Sequence, residues 1–185
     1  MNTALLLVDI QQDYFPGGKM EVTGALEASM AAKRLLNYFR GEHLPVVHIQ
    51  HISMRAGATF FLPDTDGITI HENVQPVPDE IIIQKYFPNS FRDTDLQKHL
   101  EAKDVNELVI CGMMSQMCID ATVRAAFDEG YSCVVAHDAC AARHLAFNGM
   151  DIPATHIHGA YMAALSAVYA KVLSADEIIE TLRNT

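Results

Sequence analysis

Residues 3–9 read TALLLVD, five apolar side chains in a row that stop at Asp9. A strand with one wetted face alternates apolar and polar residues, so this unbroken run predicts a strand covered on both faces, as in the middle of a parallel sheet. Parallel neighbours must then be joined by crossovers long enough to hold a helix. The chain supplies that alternation. Helical spacing of Leu26, Met30, Leu35, Leu36 and Phe39 predicts a helix from about Gly24 to Gly41, followed by a strand PVVHIQ (45–50). Strand EIIIQK (80–85), helix DTDLQKHLEAK (93–103) and strand NELVICG (106–112) come next. A helix over 116–129 stops at Gly130 and leads into strand YSCVVAHD (131–138). A helix over 153–169, a short strand KVL (171–173) and a last helix opened by a capping box at Ser174 and Glu177 complete the series. The predicted fold is α/β: a three-layer α/β/α arrangement, with a parallel sheet of five to six strands and helices on both faces. Residues 50–80, rich in Gly, Pro, Asp and Asn and without a period, are predicted to form a long excursion, a kind of loop that is usually functional or mobile.

With 50% hydrophobic residues the chain fills one sizeable core, and at 185 residues it reads as a single domain over 1–185. A formal charge of −10, from 23 acidic and 13 basic side chains with no Lys/Arg cluster, argues against nucleic acid or an anionic membrane surface as partner. A small molecule is the expected partner. No segment approaches the roughly 18 to 20 apolar residues that span a bilayer, and the N-terminal run lacks the basic flank and small-residue site of a secretory signal, so the expected location is cytoplasmic. Cysteines at 111, 118, 133 and 140 form no C-x-x-C pair and are expected as free thiols.

Open parallel sheets bind ligands beyond the carboxyl ends of their strands. The polar residues there are Asp9, Gln50, His51, Lys85, the turn GMMSQMC and Asp138. Cys118 falls in the first turn of a helix, where unpaired N–H groups and the helix dipole favour thiolate; the rival reading is a small buried hydrophobe. Cys111 and Cys133, inside strands, read as core, and Cys140 as structural. Lys85 either caps a strand end with its stem laid over it or faces Cys118 and stabilises the thiolate. Asp9 either accepts hydrogen bonds from a turn or takes the thiol proton and returns it to a leaving amine. Cys, Asp and Lys together suit acyl transfer through a thioester, with backbone N–H groups at the helix start holding the oxyanion and Gly112 allowing a tight turn. Phe15, Phe60, Phe61, Tyr86 and Phe87, in loops leaving the same edge, either wall a pocket together with Gln50 and His51 or pack against a neighbouring subunit or the domain's own core.

The stretches LLLVDIQQDY, IIIQKYFPNSF and LVICGMMSQMCIDATVRAAFDEGYSCVVAHDACAA resemble the isochorismatase-like cysteine hydrolases in order, spacing and flanking residues, over almost the whole chain. The resemblance implies the three-layer α/β fold, a catalytic triad of Asp9, Lys85 and Cys118, and an oxyanion hole from the backbone N–H groups of Met114 and Cys118. It further implies a cis peptide at Met113–Met114 and a homodimer or homotetramer. The nicotinamidases of this family carry a D-W-H-P stretch after the second strand and a later histidine that together hold a metal. This chain has HIQHISMR there, with Gln50 at the position of the first carboxylate ligand, so no metal and no cofactor are expected. Among the other histidines, His48 and His51 are three apart on a strand and point to opposite faces, His156 and His158 lie about 200° apart on a helix, and His71 reads as an exposed loop residue. Isochorismatase proper hydrolyses a vinyl ether and in several members does not rely on the cysteine. Retention of Cys118 with Lys85 instead favours hydrolysis of a C–N bond in a small amide, carbamoyl or lactam-like substrate. Vinyl-ether hydrolysis, a non-catalytic small-molecule binding or sensor domain with Asp9 as ligand contact, and a redox thiol pairing Cys118 with Cys140 remain as alternatives.

Overall fold

Asp9 stands where the fold changes direction. The computed structural model describes residues 2–184. Strand β1 (Thr3–Val8) is buried along its whole length and pairs in parallel with β2 (Val46–His51) on one side and β4 (Glu107–Met113) on the other. Beyond β2 lies β3 (Ile81–Lys85), and beyond β4 come β5 (Ser132–Ala141) and β8 (Lys171–Leu173), which gives six parallel strands in the order β3-β2-β1-β4-β5-β8. The chain therefore leaves β1 toward one edge of the sheet and later returns to its other side. The point of reversal, between the carboxyl ends of β1 and β4, is where a crevice opens in such sheets.

Helices supply the outer layers. Helix α1 (Ala25–Gly41) packs on β5, β1 and β4 together with α5 (Ala175–Arg183), while α3 (Asp120–Asp128) packs with α4 (Ala154–Val168) and the wide turn at 115–119. The side of α1 that carries Ala28, Ala31, Ala32, Leu35, Leu36 and Phe39 is buried; Leu26 and Met30, which also follow helical spacing, are exposed. The predicted capping box of α5 is present, with Ser174 Oγ accepting from Glu177 N–H and the Glu177 carboxylate accepting from Ser174 N–H. Asp138 belongs to the frame: its Oδ1 accepts from Ala175 N–H at 2.7 Å and its Oδ2 faces Arg34.

Three features depart from the sequence reading. The helix predicted over 93–103 is only α2 (Leu96–Glu101), because Asp93 sits in the left-handed region at φ 56° and Thr94 Oγ1 spends its bonds on the local turn, donating to Ser90 O and accepting from Leu96 N–H. Strand β5 runs on to Ala141, since past an irregularity it rejoins β4 with Cys140 opposite Gly112. A hairpin of β6 (Leu145–Phe147) and β7 (Met150–Ile152) precedes α4. Its turn is Asn148-Gly149, both at positive φ (53° and 77°). An Asn-Gly pair between apolar residues is a strong hairpin signal, but the flanking strands are too short to show alternation. The excursion after β2 contains only two single-turn helices, at 66–68 and 72–74. Among the described residues no helix is long and apolar enough to cross a membrane.

Candidate active site

Asp9 and Lys85, singled out at strand ends, and Cys118, singled out at a helix start, meet at the reversal point. Asp9 and Lys85 are both 0% exposed, and Lys85 Nζ lies 2.9 Å from Asp9 Oδ2. Lys85 reaches this position from β3, two strands away from β1, so its stem is buried rather than laid over a surface. Its ammonium also donates to Pro88 O at 2.7 Å. That carbonyl is itself held: Thr122 Oγ1, on α3, lies 3.4 Å from Pro88 O, accepts from Ser90 N–H at 3.1 Å and bonds Ser90 Oγ at 2.8 Å. Asp9 takes a left-handed φ of 52°, a conformation Asp tolerates better than most residues, as the chain turns off the end of β1. Its N–H is anchored on Ile49 O at 3.1 Å.

Cys118, 4% exposed, completes the group, with its sulfur in hydrogen-bonding contact with both Asp9 and Lys85. It lies in a π-helical turn, Ser115–Ile119, that leads into α3. Gly112 brings β4 close against β1 at φ 126°, and a Cβ there would run into the Val8 carbonyl. The Met113–Met114 peptide is cis, as the family resemblance implies. Met114 O then gathers the N–H groups of Met117 (3.0 Å) and Ile119 (3.2 Å). Ser115 Oγ is bonded to Ala141 O at 3.2 Å and His158 Nδ1 at 2.9 Å, which ties the turn to β5 and α4.

The charge state of the sulfur differs from expectation. Burial pushes the Cys118 thiol above its ordinary value; the Asp9 charge adds to the rise and Lys85 offsets part of it. Desolvation and Asp9 together outweigh Lys85 here, so the resting site holds a neutral thiol. Burial lowers Lys85 as well, but the contacts with Asp9 and Cys118 more than compensate, and it stays charged.

The pocket candidates divide. His51 sits at the triad, its Nδ1 3.9 Å from Asp9 Oδ2, and burial lowers its proton affinity so that it is neutral at neutral pH. Phe60 joins Tyr14 and Phe61 in an aromatic cluster (centroids 4.6 to 6.1 Å apart), and Phe61 lies 5.8 Å from the His51 ring. Phe15 is instead used for packing, stacked on His71 at 3.7 Å. His71 is correspondingly buried, not an exposed loop residue, and its Nδ1 accepts from Asn73 N–H. Tyr86 is exposed. Gln50 donates to Ile68 O at 2.9 Å and accepts from Gln84 Nε2 at 3.0 Å, so both ends of its amide are committed and it offers nothing to a nicotinamidase-type metal. His48 and His51 do part company: His48 Nε2 bonds Glu80 at 2.9 Å while His51 faces Asp9. All four cysteines are free and buried.

Sequence reasoning missed the residues that hold this site. Gln11, fully buried, donates to His51 O and Ile68 O and accepts from His51 N–H at 2.7 Å, binding the end of β2 to the excursion. Asp13 accepts from Phe61 N–H at 2.6 Å and Lys19 N–H at 3.1 Å. Both lie at two-residue steps after Asp9 in DIQQD, a spacing that was available as a signal.

Comparisons with known proteins show the family. The model of the Isochorismatase domain matches residues 3–177. The chain belongs to the isochorismatase family. An uncharacterised isochorismatase family protein of Bacillus subtilis (strain 168), YddQ, is 50% identical over 97% of this chain and 100% of that protein. A streptothricin hydrolase of Streptomyces noursei is 35% identical over 95% of this chain and 60% of its own length. A solved structure of a candidate isochorismatase hydrolase from Oleispira antarctica superimposes with a TM-score of 0.93 at 49% identity, covering 97% of this chain and 96% of that one. The protein is thus an isochorismatase-family hydrolase built on a six-stranded parallel sheet.

Proposed function

We propose that this isochorismatase-family hydrolase cleaves a C–N bond in a small amide, carbamoyl or lactam-like substrate, with Cys118 as nucleophile. The observation that carries the reading is the buried Asp9–Lys85 ion pair in contact with the Cys118 sulfur. The 35% identity to a streptothricin hydrolase supports it from the side of the relatives.

Because the resting thiol is neutral, the first step needs a base, and Asp9 is within reach. Asp9 takes the Sγ proton as sulfur attacks the carbonyl carbon, Lys85 stabilises the negative charge on sulfur, and the N–H groups of Met114 and Cys118 receive the oxyanion. The C–N bond breaks as the carbonyl reforms, the nitrogen leaves with the proton from Asp9, and an acyl thioester remains on Cys118. Water then gives a proton to Asp9 and adds to the thioester. The acid departs and the sulfur regains its proton. Phe60, the partly exposed member of the aromatic cluster with Tyr14 and Phe61, suits an apolar portion of the substrate.

The test is a panel of small amides, carbamoyl compounds, lactams and vinyl ethers assayed for amine, ammonia or acid release, with intact-protein mass spectrometry. Turnover of a C–N substrate, loss of more than about a thousandfold in Cys118→Ala, and an acyl adduct on the wild-type chain are expected. Full turnover by Cys118→Ala, or turnover of the vinyl ethers alone, rejects the reading. We further propose that the chain acts as a homodimer or homotetramer. The apolar side chains left exposed at Phe147, Met150 and Val168 support this, and light scattering tests it.

A further inference from the structure

Asp9, His51 and Cys118 each turn one donor atom toward a common point, and the three atoms lie within 4.8 Å of one another. Among the described residues no other group of three or more His, Cys, Asp or Glu side chains meets this test. Hydrogen bonding accounts for the contact of Cys118 with Asp9 but not for the place of His51. His51 Nδ1 is buried without a partner, and its 3.9 Å separation from Asp9 Oδ2 is too long for a hydrogen bond. The fully buried Asp9 has Lys85 2.9 Å from Oδ2 and the Cys118 sulfur in contact, but neither of its oxygens receives a hydrogen bond of good geometry. A buried carboxylate and a buried imidazole nitrogen with free lone pairs, aimed at one space beside a thiol, form a set of unsatisfied ligands.

We infer that Asp9, His51 and Cys118 form a site for a thiophilic divalent cation of the zinc class, and that its occupancy switches the hydrolase off. One sulfur, one imidazole nitrogen and one carboxylate oxygen suit zinc or cobalt and are a poor set for magnesium or calcium. With bonds of about 2.0 to 2.3 Å, tetrahedral geometry places ligand atoms roughly 3.4 to 3.7 Å apart, so the His51–Asp9 pair at 3.9 Å must close by a few tenths of an ångström and a pair at the 4.8 Å limit by about 1 Å. Binding replaces the proton on Cys118 Sγ with the metal and releases that proton to solvent. Carboxylate and thiolate then supply two negative charges, against the single Lys85 ammonium that opposes a cation here. The Asp9 oxygen that faces His51, Oδ2, is also the one 2.9 Å from Lys85, so the cation would share that oxygen with the ammonium or displace it. This set shares no ligand with the D-W-H-P arrangement, whose first position is the committed amide of Gln50.

The inhibitory sign rests on the proposed thiol mechanism, because the metal would occupy its nucleophile and its base together; the binding itself does not. The experiment titrates the chelator-treated full chain with Co²⁺ as spectroscopic probe, then with Zn²⁺, in parallel with turnover. A sulfur-to-cobalt charge-transfer absorption that saturates at one equivalent and is displaced by Zn²⁺ is expected. It should vanish in Cys118→Ser, and the apparent Kd should rise at least tenfold in His51→Ala, with His51→Gln as the substitute if that variant does not melt like wild type. Equimolar Zn²⁺ should suppress wild-type turnover, and EDTA should restore it. An absorption that survives Cys118→Ser, a Kd indifferent to His51, or activation by Zn²⁺ overturns the inference. Should turnover prove independent of Cys118, the proposed mechanism fails while the cobalt titration still decides the site.

Discussion

At the scale of single residues, the site depends on burial that its neighbours must match. Lys85 and Asp9 are both fully buried and 2.9 Å apart. Lys85→Met leaves the carboxylate in the interior without its cation, an arrangement that costs about 3 to 5 kcal/mol when one partner of a buried pair is removed. Urea unfolding should show that loss, and Lys85→Met combined with Asp9→Asn should recover part of it, because no charge is then stranded. Equal instability in the single and double variants would contradict the coupling. Gly112 is constrained differently: its φ of 126° and the Val8 carbonyl leave no room for a Cβ. Gly112→Ala should therefore lose at least about 1 to 3 kcal/mol and shift the turn that carries Cys118, which denaturant midpoints and turnover read together. Asp9, Lys85 and Cys118 were legible because each is a reactive side chain at the end of an apolar strand or at a helix start. Thr122 was not, since a buried hydroxyl that orients its neighbours looks, in sequence, like any other threonine, whereas Gln11 and Asp13 carried a signal in their two-residue spacing after Asp9.

Between elements, the recurrent device is a carbonyl or amide held at a distance by a side chain from another segment. Thr122 on α3 fixes the turn at 88–90, and that turn's Pro88 carbonyl holds the Lys85 ammonium that ends β3. Thr122→Val keeps the shape but leaves Ser90 N–H and Oγ without their partner, at a cost of about 1 to 3 kcal/mol. If the turn positions Lys85, kcat should fall while KM changes little. A change in stability alone, with kcat intact, would mean that Thr122 serves only packing. The order of elements could be read from the alternation of apolar runs and helical spacing, but their ends could not. Helix α2 is short because Thr94 bonds locally and Asp93 is left-handed, and β5 is long because its later residues pair again with β4. The length of β5 depends on partners distant in sequence, which no local pattern encodes, and that of α2 on a side-chain turn that helical spacing of apolar residues does not show.

The whole molecule carries a pH dependence that follows from its buried titratable groups. Burial lowers His48 despite its bond to Glu80, and burial likewise lowers His51, His71, His99 and His158. Each of these binds a proton more readily in the unfolded chain, so unfolding takes up protons and stability falls once pH drops below the ordinary histidine value near 6.5. Glu80 extends the acid limb. Burial alone would raise it, but Arg40, Val77 N–H and His48 hold it at about 2, so the stability it contributes above its ordinary 4.5 is lost as pH falls from there toward 2. On the alkaline side burial raises Cys133 and Cys140 from 9.0 to about 12. These thiols ionise first in the unfolded chain, which withdraws stability as pH rises from about 9 toward 12. The melting temperature should therefore plateau between about pH 7 and 8.5, decline in steps below 6.5 and again below 4.5, and decline smoothly above 9. Glu80→Gln separates the contributions. It should lower the plateau, because Arg40 loses its carboxylate at 2.7 Å, and flatten the step below 4.5 while leaving the decline above 9 untouched. Calorimetry of the two proteins across this range decides it, and an unchanged step below 4.5 in Glu80→Gln would move the acid limb to other carboxylates.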